Sequence, residues 1–211
     1  MGVVVWPMVE LEADDALAAA ASSLSRISQV SRVYICTPDK DLAQCVRDDR
    51  VVQLDRRARQ VRNEAGVREK FGVAPKSIPD YLALVGDSSD GYPGLPGWGE
   101  RSAAAVMGFY GHLEAVPRSA LDWKVNVRGA ERLAGTLQES FKLALLFRDL
   151  ATLRTKKPKI ATARQILWQG PSPTFATICK RLDDNQLANR VAEITLARQT
   201  KSHSSTNPKQ A

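Results

Sequence analysis

The sequence predicts an α/β fold: a parallel sheet flanked by helices, then a mainly helical C-terminal part. Three observations predict it. Short β-branched runs at residues 3–6, 33–37 and 51–54 alternate with helix-like stretches over the first 70 residues, the pattern of strands joined by crossover helices. Beyond about residue 70 only helix-period segments remain. Acidic clusters follow the strand-like runs, and a parallel sheet carries its sites beyond the carboxyl ends of its strands.

Each element has a local reason. Residues 3–6, Val-Val-Val-Trp, suit a buried strand, stopped by Pro7. The alanine- and leucine-rich stretch 16–27 predicts a helix, with Asp14 and Asp15 in or near its first turn, where the helix dipole favours acids. Residues 33–37 form the second expected strand and deliver Asp39 and Asp41 at its end. A helix starting over 41–46 and a third strand at 51–54 follow. Residues 78–85 predict a helix ending at Gly86. Further helices are expected at 100–110, at 130–152, at 174–182 and at 186–199. In 130–152 Leu133, Leu137, Phe141, Leu145 and Phe147 keep a roughly helical spacing. Residues 199–211, rich in Ser, Thr, Lys and Pro, predict a disordered tail. The expected division is 1–70, 71–170, 171–198 and the tail 199–211.

Composition narrows the class of function. The chain has 211 residues, 44% of them hydrophobic, enough for one ordinary domain or two small ones. No apolar run approaches the length of a membrane span, and residues 1–8 lack the basic start and cleavage site of a signal peptide. Cys36, Cys45 and Cys179 show no Cys-x-x-Cys spacing, so neither a disulfide framework nor a zinc site is expected, and the reducing cytoplasm is. The net charge is +7. With the acids clustered at one site, the remaining surface is more basic than the total, which favours a polyanionic partner.

Three acidic clusters carry the chemistry: Glu12-Ala-Asp14-Asp15, Asp39-Lys-Asp41 and Asp87-Ser-Ser-Asp90. Taken singly, they would serve as helix caps or polar turns. Together they offer seven carboxylates, more than capping needs. Magnesium takes hard oxygen ligands, and two such ions can clamp a phosphodiester. Carboxylates converging from separate loops repel one another unless cations neutralise them, and clusters this far apart in sequence suit that need.

Pro93-Gly-Leu-Pro-Gly-Trp-Gly99 follows the third cluster and reads as a helix–hairpin–helix turn. Gly94, Gly97 and Gly99 would let a phosphate approach the backbone closely. The helix opening at Glu100 presents free N–H groups, with Arg101 and Ser102 as side-chain helpers. Such a turn holds a DNA backbone without reading sequence. Trp98 at its tip reads equally as a base-stacking group or a hydrophobic plug. Two basic runs, Arg56-Arg57-Ala-Arg59 with Arg62, and Lys156-Lys157-Pro-Lys159, could track phosphates or form solvated faces. Trp123 and Trp168 read as packing residues and Cys36 as a core residue. His112 and His203 show no catalytic partner.

These segments resemble the bacterial 5'-3' exonuclease family, which includes the 5'-nuclease domain of DNA polymerase I and is related to the flap endonucleases. The residues that carry the resemblance are Glu12-Ala-Asp-Asp15, Thr37-Pro-Asp-Lys-Asp41, Tyr81-Leu-Ala-Leu-Val-Gly-Asp-Ser-Ser-Asp90 and Pro93 through Ala103, with a weaker echo ending at Leu153-Arg-Thr155. The resemblance implies a PIN-like nuclease domain, incomplete on its N-terminal side, followed by a helix–hairpin–helix DNA-binding domain. It implies a two-metal 5' nuclease acting on DNA 5' ends, flaps or nicks. Glu12, Asp14 and Asp15 would serve chiefly one Mg2+ or Mn2+ ion, and Asp39, Asp41, Asp87 and Asp90 the other. Asp14, Asp39 and Asp87 are the catalytic candidates. A potassium ion at the turn carbonyls is implied as well. Gly91 stands where the family usually has Asn, and Lys156 where an acid often follows Leu-Arg-Thr. The family's first strand and helical arch have no counterpart in these motifs. The alternative expectation is therefore a catalytically inactive DNA-binding fragment, or one half of a split nuclease whose partner chain supplies the missing strand.

Overall fold

A computed structural model describes residues 1–204, with side chains through Arg198. The described residues group into two units, one of residues 7–163 and one of residues 1–6 with 164–204. The first holds all three acidic clusters.

In that first unit, α1 (Ala13–Leu24) lies close to a small sheet of β1 (Val33–Ile35), β2 (Val51–Asp55) and β3 (Gln60–Arg62). Ala18 and Ala21 of α1 are nearly fully buried against Ile35, Leu42 and Val51. Their small side chains let helix and sheet approach closely. β1 and β2 are parallel, with Val33 opposite Val51. β2 and β3 are antiparallel, with Gln53 opposite Arg62. The sheet is therefore mixed, which corrects the all-parallel expectation. The polar Gln-Val-Arg of β3 carries no strand signal, and it pairs because a tight turn returns it onto β2.

The helical part follows. α2 (Glu64–Phe71) is capped by the Asn63 side chain, which accepts from Gly66 N–H at 3.1 Å. α3 (Ile78–Val85) and α4 (Glu100–Tyr110) have the expected bounds. The helix expected over 130–152 is two, α5 (Ala130–Glu139) and α6 (Phe141–Ala151), broken at Ser140 with φ −108° and ψ 19°. Serine competes for backbone hydrogen bonds and so tolerates such a break. One continuous core joins α2 to α6 through Val67, Ile78, Leu82, Met107, Leu133 and Phe147. α3 runs through its centre, seven of its eight residues buried.

In the second unit, α7 (Phe175–Arg181) and α8 (Asn185–Ser204) pack through Phe175, Cys179 and Val191. α8 runs six residues into the span expected as a tail, and residues 205–211 lie outside the described residues. Residues 3–6 are not a strand. Val3, Val4 and Val5 are exposed, Val5 by 73%. A β-branched run becomes a strand only where a hydrogen-bonding edge pairs with it, and this run has no strand pairing among the described residues. Trp168 packs against the Phe175 cluster, and its Nε1–H donates to the Met1 carbonyl at 2.7 Å.

Candidate metal centre

The first acidic cluster sits at the start of α1. Asp15 is buried and both its oxygens are engaged: Oδ2 accepts from Glu12 N–H at 3.2 Å and Oδ1 from Arg154 N–H at 2.6 Å. Asp14, one residue earlier, is only partly buried.

The second cluster occupies the loop after β1. Asp39 N–H donates to Thr37 Oγ1, and Asp41 N–H donates to Asp39 Oδ1, each at 3.2 Å. These turns leave Asp39 exposed and direct Asp41 inward, to 6% exposure. Gln53, fully buried on β2, holds the loop down by donating to the Asp39 carbonyl at 2.6 Å. Gln44 bridges the short helical turn Asp41–Cys45 to the end of α6, donating to Ala151 O and accepting from Leu153 N–H.

The third cluster follows α3. Gly86 turns the chain at φ 86°, and Asp87 and Tyr92 exchange backbone hydrogen bonds of 2.8 and 3.1 Å. Asp87 is buried, accepting from Ser89 N–H at 2.9 Å and from Lys40 Nζ at 2.8 Å. Asp90 lies exposed on the loop.

Asp41, Asp87 and Asp90 each bring a carboxylate oxygen within 4.8 Å of the others. Two cavities flank them, and Asp90 lines both. One of about 300 Å³ is also bordered by Glu12, Asp14, Asp15, Asp41 and Tyr92. The other, of about 360 Å³, is bordered by Asp39, Asp87, Lys40, Lys70 and Ser89. Each of the seven predicted acids therefore lines one or other of two cavities that share Asp90, and three of them, Asp41, Asp87 and Asp90, converge.

The electrostatics fit a cation-binding site. Burial pushes Asp41 up to about 8, helped by its hydrogen bond to Asp90 and the charges of Asp90, Asp39 and Asp87. Asp14 is raised by burial first, then by Asp39, Glu12, Asp90 and Asp15. Tyr92 is held above its usual range by burial and by the same group of aspartates. Asp41 Oδ1 and Tyr92 OH are buried with no hydrogen-bond partner among the described residues. A buried acceptor left unpaired among like charges is costly. A divalent cation with hard oxygen ligands satisfies it.

At the glycine turn, space and backbone separate the residues. Gly94, at φ 71°, packs on the end of α3: a Cβ there would lie 2.5 Å from Leu84 O. Gly97, at φ 81°, is exposed beside the Arg132 guanidinium. Gly99 has φ −149° and open space around it, so neither backbone nor packing demands glycine there. Ser102 Oγ donates to Gly99 O at 2.9 Å and accepts from Gly99 N–H at 3.0 Å, capping α4. Arg101 is exposed. Of the two readings for Trp98, the structure shows the plug: the ring is 7% exposed, 6.1 Å from that of Trp123. Trp123 is a packing residue, its Nε1–H donating to Pro117 O.

Cys36 departs from expectation and is exposed, because β1 ends at Ile35 and the chain turns there. His112 has a structural partner, its Nδ1 2.9 Å from Asp80 Oδ2. Asp80 also accepts from Arg148 and from Leu113 N–H, and Arg148 makes a two-pronged pair with Glu114. Gln44, Gln53, Tyr92 and the Asp80 network carry no sequence signal of their own, since each is defined by partners distant in the chain.

Comparison with known proteins reaches both the sheet and the helical part. Residues 1–72 match the family model described as "5'-3' exonuclease, N-terminal resolvase-like domain", and residues 73–174 that described as "5'-3' exonuclease, C-terminal SAM fold". A 5'-3' exonuclease of Aquifex aeolicus is 35% identical over 171 residues, covering 76% of this chain and 57% of the relative. DNA polymerase I of Pseudomonas aeruginosa is 39% identical over 148 residues, covering 69% of this chain and 16% of the polymerase. The chain thus spans little more than half the length of the first relative and a small part of the second. Among solved structures, a bacteriophage T5 flap endonuclease in a pseudo-enzyme–product complex with DNA and metal ions shares the fold. Its TM-score is 0.58 at 17% identity, covering 71% of this chain and 53% of that one.

Proposed function

The chain belongs to the 5'-3' exonuclease family, and we propose that it hydrolyses DNA phosphodiester bonds at 5' ends, flaps or nicks with two divalent cations at its acidic centre. One observation carries the proposal: Asp41, Asp87 and Asp90 converge within 4.8 Å around a buried, unpartnered Asp41 oxygen. Glu12 and Asp14 would hold one Mg2+ or Mn2+, and Asp39, Asp41, Asp87 and Asp90 the other. Asp15 helps by fixing the first cluster, since its own oxygens are committed to backbone N–H groups. Bound cations would supply charge stabilisation at the scissile phosphate and a water of lowered pKa.

The chain's own residues do the rest. Gln53 and Gln44 fix the Asp39–Asp41 loop against β2 and α6. Lys40 neutralises part of the cluster by its pair with Asp87. Residues 1–70 contribute the first two clusters, and residues 71–170 contribute the third together with the turn. Gly97 and Arg101 would hold duplex phosphates there, on a frame capped by Ser102 and plugged by Trp98. No helix among the described residues is long and apolar enough to cross a membrane.

The test is incubation of the chain with 5'-flap and nicked duplexes in Mg2+ and in EDTA, beside the Asp39→Ala plus Asp87→Ala variant. Metal-dependent cleavage that disappears in the variant is expected. Binding without cleavage above background would replace the nuclease by a DNA-holding chain.

A further inference from the structure

Tyr92 sets a phenol against the acidic cavity and fixes it there. Its N–H donates to Asp87 O at 3.1 Å, and its carbonyl accepts from Asp87 N–H at 2.8 Å. Its ring stacks on Phe147 of α6, with centroids 5.6 Å apart and planes at 27°. The residue is 4% exposed and belongs to the helical core. Backbone and ring are both held, so the hydroxyl has little freedom to seek a partner elsewhere.

The hydroxyl is buried with no hydrogen-bond partner among the described residues, and so is Asp41 Oδ1. Both residues line the cavity of about 300 Å³ that Asp14 and Asp90 also border. Among the charges that help burial hold the phenol above its usual range, Asp41 acts most strongly, ahead of Asp87, Asp90 and Asp39. A buried tyrosine hydroxyl normally finds a partner, and one left alone costs free energy. Phenylalanine would stack on Phe147 as well, so packing does not account for the hydroxyl. A divalent cation such as magnesium does, because it usually keeps several waters. Each coordinated water gives a lone pair to the metal and turns its hydrogens outward, and a tyrosine oxygen can accept one of them.

We propose that Tyr92 is a positioning residue of the metal centre, its Oη accepting a hydrogen bond from a water coordinated to the cation that Asp41 binds. The inference rests on the divalent-cation reading of the acidic centre and adds a neutral outer partner to its carboxylates. Outer partners of this kind orient what the metal holds and raise the affinity for it. Tyr92 acts here through the water it orients.

The experiment titrates the full chain with Mn2+ by calorimetry at one fixed pH, without DNA, and follows thermal unfolding in EDTA and in saturating Mn2+. It compares wild type with Tyr92→Phe, Tyr92→Leu, Asp41→Asn and Tyr81→Phe. Tyr81 shares the core, but the charge acting on its phenol is that of Glu100. At the site that Asp41→Asn weakens, Tyr92→Phe should bind Mn2+ about tenfold less tightly. In EDTA it should melt no lower than wild type, since it removes only an unpartnered hydroxyl. Its gain in melting temperature from Mn2+ should therefore be the smaller. Tyr92→Leu also loses the stacked ring and should melt lower in both media, whereas Tyr81→Phe should keep wild-type affinity. Unchanged Mn2+ affinity in Tyr92→Phe would overturn the proposal. So would an equal loss of stability with and without Mn2+, the mark of a hydrogen bond within the fold, or an equal loss of affinity in Tyr81→Phe. Failure of the cation reading shows separately, as a wild-type chain that binds no Mn2+.

Discussion

Asp15 Oδ1 accepts the Arg154 main-chain N–H at 2.6 Å, joining residues 139 apart in the chain. The start of α1 is thereby tied to the segment leaving α6, and both border the cavity that Asp90 also lines.

Loss of that tie should appear as lower stability. Asp15→Ala strands two backbone N–H groups, Glu12 and Arg154, in partly buried surroundings, and should cost about 1–3 kcal/mol. Asp14→Asn should cost nothing or stabilise the metal-free chain, because burial and Asp39 already disfavour the Asp14 charge. Urea unfolding in EDTA distinguishes them, and equal losses would refute a structural role peculiar to Asp15.

Asp41 sets a pH dependence of definite sign. Its carboxyl keeps a proton up to about pH 8 in the metal-free folded chain, whereas the unfolded chain releases it near about pH 4. Its contribution to stability is complete below the unfolded value and is lost as pH rises through the folded one. Melting temperature in EDTA should therefore fall between those limits, and Asp41→Asn should flatten the fall. Saturating Mg2+ should also reduce it, since binding favours the ionised form. Identical slopes for wild type and variant would contradict the assignment.

Substitution of Asp80 should cost more than substitution at the exposed end of its network. Asp80 is 2% exposed and accepts from Arg148 and Leu113 N–H while meeting His112. Asp80→Ala leaves Leu113 N–H and His112 without that partner and Arg148 with Glu114 alone, and should cost about 1–3 kcal/mol. Glu114, the exposed end of the same network, should cost below about 1 kcal/mol on change to Ala. Chemical denaturation of both variants gives the ordering, and a reversed order would undo the account of the network.

The glycines of the turn should divide by what surrounds them. Gly97→Ala meets only the Arg132 guanidinium at 3.5 Å, so its cost is the left-handed backbone, about 1–2 kcal/mol. Gly94→Ala adds a Cβ at 2.5 Å from Leu84 O and should lower the melting temperature further. A Gly94 variant as stable as the Gly97 variant would show that the turn can move away from α3.

By itself the sequence determined the local and the chemical. Helices 78–85 and 100–110 were legible as local helical stretches, the first ended by Gly86 and the second following the glycine turn. The three acidic clusters were legible because each is a short local run, and the structure brings Asp41, Asp87 and Asp90 of two of them within 4.8 Å of one another. Hydrogen bonds between distant residues were decided only by the tertiary structure. It made Gln-Val-Arg a strand, left Val3 to Val5 without a strand partner, and broke 130–152 at Ser140. It also sorted the carboxylates, giving Asp15 to backbone N–H groups while leaving Asp41 Oδ1 unpaired. A residue type states which bonds a group can make. Burial and long-range partners decide which bonds it makes, and so which acids remain free for a cation.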